Sequence, residues 1–281
     1  MKKKKVIIVA GTRPEVIKMS SVYMELKKSD TLVPVFLSTG QHREMLAQAF
    51  GAFDLSPDHD LELMKPGQDL TGLTARVLHA VGSYLEETRP DAVLVQGDTT
   101  SVLASAMAAF YQNISVGHVE AGLRTYDMQS PWPEEMNRRL VSPLCRWHFL
   151  PTEVSKGNLL QEKIPDSLCH VTGNTVIDAL HESVARVSDS DDPGILALRE
   201  VIAPDKKLIL VTGHRRENHG DGFVQICEAL KQIAKARPDV QIIYPVHLNP
   251  KVQDPVNRIL AGQPNVQLIA PLAYPAFVWL M

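Results

Sequence analysis

The sequence has few cysteines, few aromatic residues and no long apolar run. Its three cysteines, Cys145, Cys169 and Cys227, are widely separated and form no CxxC pair. They therefore predict reduced thiols of a cytoplasmic protein rather than a disulfide framework. No His, Cys or Asp set has the spacing of zinc ligands, so we expect no metal. No apolar run approaches the roughly 20 residues that a membrane-spanning helix needs.

The chain also lacks an excess of either charge. It has 29 Lys and Arg residues, 32 Asp and Glu residues and a formal net charge of -3. This balance gives no reason to expect nucleic acid or an acidic membrane as a partner. The basic start, MKKKK, is followed by only five apolar residues before a Gly-Thr-Arg-Pro turn. Because a secretory signal needs a longer apolar region, we predict a first β-strand there.

The pattern of apolar residues predicts an α/β fold. Short β-branched runs alternate with amphipathic stretches, which is typical of a doubly wound parallel sheet. Residues 55–69 contain two prolines and a glycine and predict a loop. The polar stretch at 188–193 predicts a linker between two domains, 1–187 and 188–281. The second domain shows only three strands before an apolar end at 277–280, so we expect it to be truncated, with that end uncovered.

Two acidic residues follow neighbouring strands. Residues 92–96, 101–111 and 115–119 predict a right-handed strand-helix-strand unit with parallel strands. Asp98 and Glu120 come just after the two strands, at the sheet edge where ligands bind in open α/β folds. Asp98 is equally explained as the N-cap of the helix. Glu120 is harder to explain structurally, because glutamate is a poor strand former.

The turn after the first strand predicts an anion site. Gly11 leads into a helix start, with Pro14 in the first turn and Glu15 beside it. Helix N-termini bind anions, and Arg13 and Lys18 would bring two cations to this one. The turn matches neither GxGxxG nor GxxxxGK[ST], so it is not a dinucleotide or P-loop fingerprint. The alternative is that both basic side chains are simply solvated.

Three further segments carry candidate residues. Glu134 and Arg138 are four residues apart and share one helix face, a spacing that an ordinary surface ion pair also explains. Asn174 is predicted to cap a helix, and Gly173 to allow a close backbone approach. His214 follows a strand of the second domain, although a lone loop histidine is more often plain surface.

Crowded carboxylates raise one another's pKa whereas nearby cations lower it, so such a cluster can hold one acid and one base near neutrality. Cations together with helix N-termini suit a diphosphate group.

Eight collinear motifs resemble those of the non-hydrolysing UDP-N-acetylglucosamine 2-epimerases of bacteria. They are GTRPEVIK at 11–18, QHREML at 41–46, GDTT at 97–100, GHVEAGLRT at 117–125, SPWPEEMNRR at 130–139, TGNTVIDAL at 172–180, VTGHRREN at 211–218 and YPVHLNP at 244–250. The resemblance runs in order over the whole chain. It implies two Rossmann-like domains of the glycosyltransferase B type, with a UDP-sugar in the interdomain cleft.

The same resemblance implies the activity and the partners. The family interconverts UDP-GlcNAc and UDP-ManNAc, here for cell-surface polysaccharide precursors, by eliminating UDP and adding it back. It implies no cofactor, a cytoplasmic location and a homodimer, with neither nucleic acid nor membrane as partner. The members continue beyond the position of Met281 with a phosphate loop and a returning helix. We therefore expect the 281-residue chain to be inactive, or to bind its ligand weakly, without that segment.

Residue roles follow from the matching motifs. Asp98, Glu120 and Glu134 match the acid/base residues, without a decision on which of them performs which step. Arg138 and His214 match residues that support the departing UDP. The resemblance implies that the nucleotide is held by Arg13, Lys18, Leu272 and Phe277. In some members a second UDP-GlcNAc binds as activator, and the matching positions are Gln41, His42, Arg43, Arg215 and His247.

Alternative functions remain open at this point. A hydrolysing relative would release ManNAc and UDP, and a glycosyltransferase of the same architecture would need an acceptor. A third alternative is a non-catalytic fragment that binds a UDP-sugar without turnover. Incubation with UDP-GlcNAc alone distinguishes these classes, because free UDP accumulates only with hydrolysis.

Overall fold

A computed structural model of the protein describes residues 3–40, 43–63, 65, 67, 69–213 and 221–281. Their contacts divide the chain into two compact units, Met1–Glu182 and Ser183–Met281. The division falls within the helix Thr175–Val187. The domain boundary that we propose from the sequence falls at the end of the same helix.

The described part of the first unit contains seven strands. They are β1 (Lys4–Ala10), β2 (Leu32–Ser38), β3 (His59–Asp60), β4 (Ala92–Gln96), β5 (Ser115–Val119), β6 (Trp147–Leu150) and β7 (Cys169–Val171). The helices around them are α1 (Arg13–Lys27), α2 (Arg43–Gly51), α3 (Leu70–Thr88), α4 (Thr100–Tyr111), α5 (Glu134–Val141), α6 (Glu153–Gln161) and α7 (Thr175–Val187). Short 3-10 turns lie at Ser142–Leu144 and Asp166–Leu168.

The strands pair in the order β3-β2-β1-β4-β5-β6-β7, and every pair is parallel. The chain moves outward from β1 to β3 and then returns to the other side of β1 with β4. The carboxyl ends of β1 and β4 therefore flank the point where the strand order reverses, which is where ligands bind in open α/β sheets. The predicted doubly wound parallel sheet is confirmed.

Apolar strands and one apolar helix build the core of this unit. Ile7, Val93 and Val95 are completely buried, as expected for strands covered on both faces. Helix α3 contributes a stripe with the spacing of one helix face, including Val77 and Val81. Helix α4 is buried along most of its length, as its continuous apolar sequence predicts.

The segment predicted as a loop at 55–69 contains the short strand β3. Its two residues pair with β2 at the edge of the sheet, where Leu37 faces His59. The His59 ring also stacks on Tyr84 of α3, with ring centroids 4.8 Å apart. A two-residue strand has no alternating pattern that a sequence could reveal, so the loop prediction was wrong at this point.

The second unit has a smaller sheet in its described part. Strands β8 (Lys207–Leu210), β9 (Val240–Pro245) and β10 (Val266–Ile269) pair in parallel in the order β10-β9-β8. The helices are α8 (Pro193–Val201), α9 (Asp221–Ala236), α10 (Pro250–Leu260) and α11 (Tyr274–Leu280). Buried Phe223 and Tyr244 lie at its core, and the Tyr244 hydroxyl donates to the Gly213 carbonyl over 2.8 Å.

The apolar residues at the C-terminal end are covered, so the expectation of an uncovered end was wrong. Helix α11 packs against α8, and both Val278 and Leu280 are buried. The guanidinium of Arg199 on α8 lies 5.7 Å from the centre of the Trp279 ring. Helix α8 had not been recognised in the sequence, and it supplies the covering surface.

Within the described ranges, no helix is long and apolar enough to cross a membrane. The cysteines Cys145, Cys169 and Cys227 are all buried and free of disulfide bonds.

Two glycines near the strand ends have left-handed backbones for different reasons. Gly173 has a φ of +82°, and an added Cβ would meet nothing within 4 Å. Its requirement within the protein is conformational, and the predicted close backbone approach at Gly173 stays a prediction. Gly122 has a φ of +81°, and an added Cβ would also collide with the Ser155 carbonyl and the Leu150 side chain. Only glycine satisfies both conditions at position 122.

We therefore expect Gly122→Ala to destabilise the protein by about 1–3 kcal/mol, through backbone strain and the collision together. Gly157→Ala, within helix α6, is the matched control because no atom lies within 4 Å of the added Cβ. The control is expected to be neutral or up to about 1 kcal/mol more stable. Urea unfolding of the unsubstituted protein and of the two variants measures these differences in stability. Equal stabilities for the two variants would contradict the structure.

Two buried histidines lie side by side in the sheet. His118 on β5 faces His148 on β6, and both side chains are almost completely inaccessible. The pKa of His118 is lowered to about 4, mainly by burial; the hydrogen bond to the Gly97 carbonyl opposes part of this shift, and the nearby Arg124 guanidinium adds to it. Burial likewise lowers the pKa of His148 to about 4. His118 Nε2 lies 2.7 Å from the Gly97 carbonyl oxygen, so this ring also fixes the turn after β4.

These shifts predict a loss of stability in mild acid. An unfolded histidine has a pKa of about 6.5, so between about pH 6.5 and pH 4 the unfolded chain binds protons that the folded chain excludes. The free energy of unfolding should fall by about 2 kcal/mol per histidine between pH 7 and pH 5. In the His118→Gln variant, the difference in the free energy of unfolding between pH 7 and pH 5 should be about half as large. Urea unfolding at the two pH values measures it. An unchanged dependence would contradict the buried, neutral ring.

Candidate active site

A cavity of about 240 Å³ opens at the carboxyl ends of β1, β4 and β5. It lies where the strand order reverses, and two helices, α1 and α4, begin beside it. Its lining residues are Thr12, Pro14, Glu15, Lys18, Gln96, Gly97, Asp98, Thr99, Glu120, Leu123 and Arg138. Four residues predicted from the sequence, Lys18, Asp98, Glu120 and Arg138, thus meet in one cavity.

Asp98 pairs with Arg138 and does not cap helix α4. Both Nε and Nη2 of Arg138 contact Asp98 Oδ2, at 2.8 and 2.6 Å. The N-cap of α4 is Thr99, whose hydroxyl accepts from the Val102 N–H. The Asn137 amide donates to the Asp98 carbonyl over 2.8 Å and fixes the backbone. Because the neighbouring residue takes the capping role, the Asp98 carboxylate is available to the cavity.

Glu120 lies beyond the end of β5 with an unusual backbone. Its φ is +62°, a left-handed value that is uncommon for a residue with a side chain. Its Oε2 lies 2.5 Å from Lys18 Nζ and also accepts from the Gln96 amide. Its Oε1 accepts from the Asn174 amide over 3.0 Å. Residues such as this are concentrated at functional sites, where the surroundings hold a strained backbone.

Helix α5 positions Arg138 through a carboxylate that the sequence reading missed. The buried Glu135 lies 3.3 Å from Arg138 Nη1 and accepts from the backbone N–H groups of Thr125 and Tyr126. The predicted partner Glu134 is half-buried in the first turn of α5 and does not line the cavity. The spacing of Glu135 and Arg138, three residues apart on one helix, was the available signal.

Glu15 joins the starts of two helices. Its carboxylate accepts from the Gly11 and Thr12 N–H groups, at 2.6 and 2.8 Å, and from the Thr99 hydroxyl at 2.5 Å. Burial raises the pKa of Glu15, and these hydrogen bonds oppose part of the rise. The sequence identified this residue only as a complement to the dipole of α1. Its link to α4 could not be predicted, because the two helix starts are far apart in the sequence.

The two predicted cations near α1 differ in their surroundings. Lys18 points into the cavity and pairs with Glu120, with 20% of its side chain exposed. Arg13 is the first residue of α1 and is exposed to solvent. The structure thus brings Lys18, but not Arg13, into the lining of this cavity.

The remaining candidates lie elsewhere. Phe277 is in α11 of the second unit, and Leu272 precedes that helix; both are half-buried. His247 is exposed after β9, and its Nδ1 accepts from the Asn249 N–H over 3.1 Å. Arg43 is the first residue of α2. The other four predicted residues, Gln41, His42, His214 and Arg215, lie outside the described residues.

The cavity combines proton-accepting groups with positive charge. Asp98 and Glu120 each lie beside a cation, Arg138 and Lys18, and all four side chains are largely buried. Such carboxylates can exchange protons, while the cations stabilise negative charge on a departing group. Among the residues that the structure describes, no group of three or more His, Cys, Asp or Glu side chains is placed to hold a metal ion.

A protein-family model and a curated relative match most of this chain. The family model for UDP-N-acetylglucosamine 2-epimerase matches residues 24–281. The UDP-N-acetylglucosamine 2-epimerase of Escherichia coli K12 is 54% identical over 279 residues, which cover 99% of this chain and 74% of that protein.

Solved structures give the same result. The crystal structure of UDP-GlcNAc 2-epimerase from Neisseria meningitidis bound to UDP-GlcNAc is 48% identical, with a TM-score of 0.91 and coverage of 98% of this chain and 75% of that one. The Methanocaldococcus jannaschii UDP-GlcNAc 2-epimerase in complex with UDP-GlcNAc and UDP is 30% identical, with a TM-score of 0.78 and coverage of 98% and 76%. The chain therefore belongs to the UDP-N-acetylglucosamine 2-epimerase family.

Proposed function

We propose that this chain interconverts UDP-GlcNAc and UDP-ManNAc by eliminating UDP and adding it back, without hydrolysing the nucleotide sugar. The observation that carries the proposal is the meeting of two carboxylate-cation pairs, Asp98 with Arg138 and Glu120 with Lys18, in one cavity. The chain's relatives are named UDP-N-acetylglucosamine 2-epimerases, so the enzyme class is isomerase.

The chemistry needs only groups of this kind. No carbonyl lies next to C2 of the sugar ring, so its proton cannot be removed simply as an acidic α-proton. Loss of the C2 proton together with departure of UDP from C1 forms a C1–C2 double bond. Return of UDP to C1, with protonation of C2 from the opposite face, inverts that carbon. A carboxylate can carry the proton, and cations can stabilise the departing diphosphate.

The proposed roles follow the positions of the side chains. Asp98 and Glu120 act as acid/base residues, which their place in the cavity supports. Glu134 is retained as the third candidate because it begins the helix that carries Arg138. Arg138 stabilises the departing UDP, a role that His214 shares by resemblance to the family.

Nucleotide binding is a second part of the proposal. We assign it to Lys18 and Arg13 of the first domain and to Leu272 and Phe277 of the second. The N-termini of α1 and α4 beside the cavity support this assignment, since helix N-termini favour phosphate groups. An activating UDP-GlcNAc would bind at Gln41, His42, Arg43, Arg215 and His247, as the family resemblance implies.

The same proposal includes a homodimer in the cytoplasm. Both rest on resemblance to the family, and the three buried, free cysteines fit a reducing compartment. In this proposal, domain 1–187 carries the acid/base residues, and domain 188–281 contributes to binding of the nucleotide.

Hydrolysis of the substrate is not favoured as an alternative. The relatives from Escherichia coli and Neisseria meningitidis are named as epimerases, and the latter was solved with UDP-GlcNAc bound. A transferase would leave UDP-GlcNAc unchanged in the absence of an acceptor. These alternatives therefore become distinct outcomes of one assay.

The assay incubates the protein with UDP-GlcNAc alone and follows the products by phosphorus and proton NMR. Two forms are compared: the 281-residue chain, and the same chain extended with the part of the Escherichia coli relative that it does not match. With the extended form we expect UDP-ManNAc to appear in equilibrium with UDP-GlcNAc while free UDP stays low, and with the 281-residue chain we expect little or no conversion. Stoichiometric free UDP with ManNAc, or no conversion by either form, would overturn the proposal.

A further inference from the structure

The Glu120 carboxylate is surrounded by hydrogen-bond donors from three other segments. Lys18 of α1 and Gln96 of β4 both contact its Oε2, the lysine at 2.5 Å. Asn174, between β7 and α7, donates to its Oε1 over 3.0 Å. Only 11% of the Glu120 side chain is exposed. Both carboxylate oxygens therefore have donors, and two of the three donors carry no charge.

The Asn174 amide has one favoured orientation. Its Oδ1 accepts from the Val176 N–H over 3.1 Å at the start of α7, which leaves its NH₂ group directed at Glu120. Rotating the amide by 180° would lose the hydrogen bond to Val176 and bring an oxygen against the carboxylate. The hydrogen bond from the Val176 N–H thus determines that Asn174 presents its NH₂ group, and not its oxygen, to Glu120.

Gln96 is held in the same way by its surroundings. It is the last residue of β4, and only 2% of it is exposed. Its Nε2 donates to Glu120 Oε2. A reversed amide would bury an oxygen against a carboxylate oxygen, an arrangement without a donor. Because Gln96 belongs to a buried strand and its side-chain amide is also buried, the side chain has few other rotamers available.

The backbone of Glu120 explains why two such contacts matter. A residue with a side chain and a φ of +62° stays in that conformation only when its surroundings hold it there. A catalytic carboxylate must also keep one direction, because a displacement of about 1 Å can lower a rate by about 100-fold. A second cation would hold the carboxylate as firmly, but it would also make the carboxylate a weaker base.

We infer that Gln96 and Asn174 are positioning residues, which hold the Glu120 carboxylate in one direction in the cavity without adding positive charge. The inference rests on the proposed function for its effect on rate, since Glu120 is taken there as an acid/base residue. The contacts themselves can be tested without turnover.

The kinetic test uses Asn174→Asp and Gln96→Met, in the form of the chain that converts UDP-GlcNAc. In N174D the new carboxylate can still accept from the Val176 N–H and cap α7, but it replaces a donor to Glu120 with a negative oxygen. Gln96→Met keeps the length of the side chain and removes the donor. We expect kcat to fall by about 100-fold for N174D and about 10-fold for Q96M, with KM changed less than about threefold.

The isotope effect separates positioning from a general structural role. With substrate deuterated at C2, both variants should show a larger primary isotope effect, because proton removal becomes slower than the other steps. The matched control is Asn257→Asp, which makes the same substitution at an exposed position of α10 outside the proposed sites. This control should keep kcat, KM and isotope effect. Unchanged kcat and isotope effect in N174D and Q96M would overturn the inference.

A double-mutant cycle tests the contact itself. N174D should lower the unfolding temperature by about 2–4 °C in the chain with Glu120, because two carboxylates then face each other. In the E120Q background the same substitution should have little effect, since the amide introduced by E120Q can donate to the carboxylate introduced by N174D. An equal loss in both backgrounds would contradict a direct contact. If neither the 281-residue chain nor its extended form makes UDP-ManNAc, that result counts against the proposed function, while this cycle still decides the contact.

Discussion

The ion pair between Lys18 and Glu120 joins distant parts of the sequence, and the arrangement of the site depends on it. Lys18 belongs to the first helix after β1, whereas Glu120 follows β5, two strands away in the sheet. The pair can form only because the strand order reverses between β1 and β4, which brings the ends of β1, β4 and β5 to one edge. A parallel sheet with another order would separate these two residues.

The same edge explains how opposite charges share a small volume. Asp98 and Glu120 would repel each other in a dry cavity, but each has its own cation at about hydrogen-bond distance. Glu135 also pairs with Arg138, and it accepts a hydrogen bond from the Thr125 N–H, which connects α5 to the loop after β5. Asp98 and Glu120 are therefore each paired within the cavity, which holds both kinds of group that the proposed elimination needs, carboxylates and cations.

The sequence predicted the strands well where apolar runs were clear, as at 92–96 and 115–119, which the structure reproduces without change. It could not decide whether Asp98 caps a helix, because Thr99 is an equally good cap and only the fold brings Arg138 close. It also favoured Glu134 over Glu135, since residues three and four apart share one helix face. Contacts such as Gln96 with Glu120 depend on strand order, which no local pattern reveals.

We propose that a carboxylate in this cavity removes the proton from C2 of the sugar. The decisive measurement is conversion of UDP-GlcNAc in heavy water, with the products followed by NMR. We expect deuterium at C2 of the UDP-ManNAc formed, and then of the remaining UDP-GlcNAc as the reaction reverses. Epimerised product that retains its original hydrogen at C2 would contradict it.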